Sequence, residues 1–100
     1  MLDQRIKQTI IDALMKVVDS APTRNYTAYQ YGITQASFDI WMNYVNSTMN
    51  ITARYIDMNL CISFQNRIQQ IAFQNTTDYA AKINSICQVL LDLAKQIIYL

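Results

Sequence analysis

A backbone of 100 residues with one glycine and one proline has few places to turn sharply. Both lie in the first third of the chain, at Pro22 and Gly32, and neither residue type recurs from Ile33 to Leu100. Long apolar-patterned stretches without a breaker read as helix. At the N-terminal end, Ile6, Ile10, Leu14 and Val17 recur at helical spacing. This predicts a helix over 3–19 capped by Asp3, with Ile11, Met15 and Val18 widening its apolar stripe. Ser20-Ala-Pro-Thr ends it, because Pro22 cannot continue a helix and drives Ala21 toward extended geometry. A further long helix is expected over 51–74, with Ile51, Tyr55, Met58 and Ile62 on one apolar face. Ile56, Leu60, Phe64, Ile68 and Ile71 mark a second face, and two apolar faces require two partners. Asn75-Thr-Thr-Asp reads as a turn and a cap, after which a last helix runs from Asp78 to the C-terminus.

That last helix places Ala80, Ile83, Cys87, Leu90, Ala94 and Ile97 at alternating spacings of three and four, a heptad seam. Ile86, Val89, Leu91, Leu93, Ile98 and Leu100 lie outside the seam, so the helix is apolar nearly all round. Such a helix is either enclosed in a bundle or shared between subunits. The expectation is an all-α protein, a single domain over 1–100 built as a bundle of about five helices. Its two long C-terminal helices form a hairpin over about 51–100. Ile83, Cys87, Leu90, Ala94 and Ile97 supply a homodimer interface, the alternative being a monomeric bundle in which the first helix covers the second face.

Residues Ala28 to Trp41, A-Y-Q-Y-G-I-T-Q-A-S-F-D-I-W, read as a helix-turn-helix within a region of about 24–50. The motif needs a small residue where the helices cross, here Ala28, and a residue able to take positive φ in the turn, here Gly32. Ile33 plugs the corner, Thr34 caps the second helix, and Phe38 and Trp41 fall three residues apart on its inner face. The first helix of the pair is expected over 24–31 and the second over 34–50. This arrangement resembles the helix-turn-helix of the phage repressor and Cro superfamily. The resemblance implies a second helix in the major groove of double-stranded DNA with its N-terminal residues toward base edges. Gln35 is then the candidate base reader, through bidentate pairing with adenine, and Ser37 and Asn43 reach bases or phosphates. The helix N-terminus at Thr34 would hold a phosphate on its free N–H groups, and Arg24, Asn25 and Lys16 are candidate backbone clamps.

Composition narrows the chemistry. Hydrophobic residues make up 52% of the chain and charged ones only 15%, so Asn, Gln, Ser, Thr and Tyr must build much of the surface. Every acid is an aspartate and there is no histidine, which removes the commonest general base and metal ligand. The aspartates show no paired spacing, and the only glycine belongs to the turn, leaving no phosphate loop. The chain reads as a non-enzyme without a metal or cofactor. Cys61 and Cys87 read as reduced core thiols. Charges at Asp3 and Arg5 stand where a signal peptide needs an apolar run, and Asp92 and Lys95 interrupt the most apolar region. The expectation is a cytoplasmic protein that does not cross a membrane.

Two functions from different classes follow. The first is a sequence-specific DNA-binding protein, a small dimeric transcriptional regulator. The second is an all-helical protein-interaction module or inhibitor that blocks a macromolecular partner, similar to small helical inhibitors of phages and other mobile elements. The net charge of +1 and the absence of Lys and Arg between Thr34 and Asn50, where Asp39 stands, favour the second.

Overall fold

The structure, a computed structural model, describes residues 3–24 and 32–100. Among them there are four α-helices, one 3₁₀ turn and no strand: α1 (Gln4–Asp19), the turn Pro22–Arg24, α2 (Gln35–Thr52), α3 (Met58–Ala72) and α4 (Tyr79–Ile98). The chain is all-α, as its apolar periodicity predicts. The expected fifth helix over 24–31 lies outside the described residues apart from Arg24, which closes the 3₁₀ turn.

Each helix begins on an oxygen-bearing side chain that satisfies a backbone N–H the helix itself leaves free. Asp3 Oδ1 accepts from the Arg5 N–H at 2.7 Å and Asp78 Oδ1 from the Ala81 N–H at 3.1 Å. Asp57 Oδ1 accepts from the Leu60 N–H at 3.0 Å, and that cap corrects the sequence reading. The helix expected from Ile51 starts instead at Met58. Ile51 and Thr52 finish α2, where the Thr52 hydroxyl bonds back to the Thr48 carbonyl at 2.8 Å. Backbone bonds from Arg54 to Ile51 and from Tyr55 to Thr52 then turn the chain. A β-branched residue that competes for its own backbone weakens the helix just before an aspartate offers a new start.

One core joins all four helices, and α4 lies at its centre. Ile10, Leu14, Val17 and Val18 of α1 pack against α4 from one side, and Phe64 and Ile68 of α3 from another. Phe38, Trp41, Met42, Val45 and Met49 of α2 complete the enclosure, with Trp41 Nε1–H donating to the Val17 carbonyl at 3.0 Å. Ile83, Cys87, Leu90, Ala94 and Ile97 are all buried within one chain. This corrects the assignment of these five residues to an interface between copies, because α1, α2 and α3 of the same chain pack around α4. No helix of the described residues is long and apolar enough to cross a membrane.

Gly32 has φ +87°, a conformation that L side chains rarely adopt, and a Cβ built there meets nothing within 4 Å. The cost of a side chain at this position therefore comes from the backbone alone. Gly32→Val is expected to lower stability by about 1–3 kcal/mol in a denaturant titration. A variant with the midpoint of the parent would show that the turn relaxes freely.

Candidate interaction surface

The start of α2 is built by a reciprocal cap. Thr34 Oγ1 accepts from the Ser37 N–H at 3.2 Å, and Ser37 Oγ accepts from the Thr34 N–H at the same distance. Ser37 is thus engaged in starting the helix, which competes with any role in reaching a base or phosphate. Ile33 packs against the core, and Phe38 and Trp41 are buried, as their spacing predicts. Gln35 and Asn43 are exposed. Lys16 is exposed near the end of α1. Burial pushes the pKa of the Cys87 thiol up, and the Arg24 guanidinium beside it partly opposes that shift. Asn25 and Ala28 lie outside the described residues. The Cys61 thiol is likewise pushed up, first by burial and then by the Asp57 carboxylate. Both thiols are buried and free, and their raised pKa keeps them in the less reactive protonated form.

Two of the chain's cations are held against helix ends. Lys7 and Lys82, two of the eight, are buried. Lys82 Nζ donates to the Ala72 carbonyl at 2.9 Å, at the end of α3, and Lys7 Nζ reaches the Ile98 carbonyl at the end of α4 at a longer 3.4 Å. A cation at the carbonyl end of a helix opposes the partial negative charge there. Apart from these two, six cations share the chain with seven aspartates, and the formal net charge is only +1. Arg67 is further tied to Asp92 at 3.3 Å. Neither buried lysine is apparent in the sequence as a structural residue. The available signal is a lysine inside an otherwise apolar helical stripe.

The bundle leaves apolar side chains open at the corner between α2 and α3. Ile51 is 53% exposed, Tyr55 50%, Met58 66% and Ile62 50%. These four residues are the first of the two apolar faces marked in the sequence over 51–74. The second face is covered: Ile56, Leu60, Phe64, Ile68 and Ile71 all belong to or pack against the core. Ile51 and Tyr55 wall a cleft of about 280 Å³ whose far side is Arg5, Ile6, Thr9 and Ile10 of α1. Met58 and Ile62 line a smaller one of about 130 Å³ with Met49, Asn50 and Ala53. Along the outer side of α2, Ile40 and Tyr44 are also exposed, with no cation between Thr34 and Ala53. Comparison of the chain with protein-family models, with curated proteins and with solved structures finds no match.

Proposed function

We propose that this protein is a small helical interaction module that binds a protein partner through the apolar corner between α2 and α3. The observation that carries this reading is the exposure of Ile51, Tyr55, Met58 and Ile62, each half or more open to water. Fully burying one such side chain is worth about 1.5–3 kcal/mol, so four half-open ones together supply several kcal/mol on association. The two clefts beside them give an incoming apolar side chain a place to insert, which is how the anchors of protein interfaces are held. Arg5 and Arg54 flank this corner, suiting a partner with acidic residues around an apolar centre.

A second reading is a small dimeric transcriptional regulator that reads DNA with the start of α2. It is supported by the positive φ of Gly32 followed by a capped helix with Gln35 and Asn43 on its exposed side. The net charge of only +1 and the absence of a cation between Thr34 and Ala53 oppose it, since affinity for DNA rests largely on phosphate neutralisation.

One paired experiment separates the readings. The tagged chain is used for affinity capture and, in parallel, for selection from random DNA duplexes. The expected result is a stoichiometric protein partner that an Ile51→Ser, Ile62→Ser double variant no longer captures, with a melting temperature close to the parent because both positions are exposed. Enrichment of a palindromic duplex would move the assignment to DNA. Capture unaffected by the double variant would remove the corner from it.

A further inference from the structure

A cleft of about 300 Å³ lies between the first half of α2, the end of α3 and the start of α4. It contains a charged group whose hydrogen-bonding capacity the described residues do not fill. Lys82, which lines it, is only 6% exposed. Its ammonium donates to the Ala72 carbonyl at 2.9 Å and stands 5.6 Å from the centre of the Phe38 ring and 5.7 Å from that of Tyr79. An ammonium carries three N–H donors, and among the described residues one of them is taken. Among the described residues no carboxylate forms an ion pair with it. A mostly buried ammonium that lines an open cleft is suited to an anionic oxygen, because the bond is charge-assisted.

The rest of the cleft narrows the ligand. Gln35, Asn46 and Gln69 contribute side-chain amides, and Phe73 and Tyr79 contribute rings. Asn46 Oδ1 already accepts from Gln65 Nε2 at 3.1 Å, so Asn46 presents its amide donors. Asp39 lines the same cleft and is exposed, so a second negative charge on a ligand would meet a carboxylate. The volume suits a compact molecule at the lower end of small-ligand sites. We propose that this cleft binds a small planar monocarboxylate, its carboxylate on Lys82 Nζ and its flat body against the Phe73 and Tyr79 rings. The site is separate from the α2–α3 corner and does not depend on the function assigned there.

The test is a titration of the isotope-labelled full chain with benzoate, followed by backbone amide shifts, with inorganic phosphate as the comparison anion. Benzoate is expected to produce saturable shifts centred on Gln35, Asn46, Gln69, Tyr79 and Lys82, and phosphate weaker ones. Lys82→Met is expected to weaken benzoate binding by about tenfold or more, the worth of a hydrogen bond to a charged group. Because Lys82 also secures the end of α3, an exposed second variant is needed. Asp39→Asn is expected to tighten binding by about threefold through loss of like-charge repulsion. Shifts that stay linear with benzoate or scatter over the surface would overturn the proposal. So would tighter binding of phosphate than of benzoate, or an Asp39→Asn variant with unchanged or weaker affinity.

Discussion

Leu90→Asp is expected to leave the chain without a cooperative thermal or denaturant transition at room temperature. Leu90 is 1% exposed at the centre of the helix that touches every other helix. Truncating such a leucine to alanine costs about 2–5 kcal/mol through lost contacts and the residual cavity. Aspartate adds the burial of a carboxyl group for which the surrounding Ile83, Ile86, Leu93 and Ala94 offer no polar side chain. Domains of this size have about 5–15 kcal/mol to lose, so the combined penalty takes most or all of it. Circular dichroism on the variant measures this directly. A sigmoidal melt within a few degrees of the parent would mean that α4 can rotate Leu90 to the surface, which the enclosure of that helix does not permit.

Trp41→Ala is expected to destabilise by about 3–5 kcal/mol in a urea titration, the range for removing a large buried aromatic side chain. Trp41 connects two parts of the fold that are far apart in sequence. Its ring is buried in the core, and its indole N–H bonds the Val17 carbonyl near the end of α1. Trp41→Phe separates the contributions, since it keeps most of the apolar volume and removes the hydrogen bond, worth about 1 kcal/mol. If both variants lost the same amount, the ring's volume would be irrelevant, and the packing described for α2 would be wrong.

The all-α class and the helix starts at Asp3, Thr34 and Asp78 are legible because they depend on local patterns: apolar spacing, and an oxygen-bearing side chain ahead of it. The start of α3 is misread because the apolar periodicity runs through 51–57 without a Gly or Pro, and there the back-bonding of Thr52 and the cap on Asp57 decide. Both are short-range signals, but an aspartate ahead of an apolar run is easily taken for surface. The seam on α4 is legible as a face that must be covered, whereas its partner is not, because periodicity carries no information on which helix arrives. The two apolar faces over 51–74 show the same limit. Their existence is written in the spacing, and only the three-dimensional arrangement reveals that one is enclosed and the other open at Ile51, Tyr55, Met58 and Ile62. Lys82 was illegible for a similar reason: its neighbours in space, Phe38 and Ala72, come from two other helices.

The scarcity of glycine has a consequence for how the molecule comes apart. A helix commonly closes its final turn with a left-handed residue of its own, yet among the described residues only Gly32 has positive φ, and it precedes a helix. The last carbonyls of α3 and α4 instead take a proton donor from elsewhere: Ala72 from Lys82 of α4, and Ile98 from Lys7 of α1. Each fastening exists only while the neighbouring helix is docked. The terminal turns, usually the first to fray, are thereby linked to the fate of distant segments, and the links run in series from α1 to α4 to α3. Opening the last turn of α3 or of α4 therefore also breaks a bond to a neighbouring helix, which ties fraying at these ends to the docking of α4 and of α1.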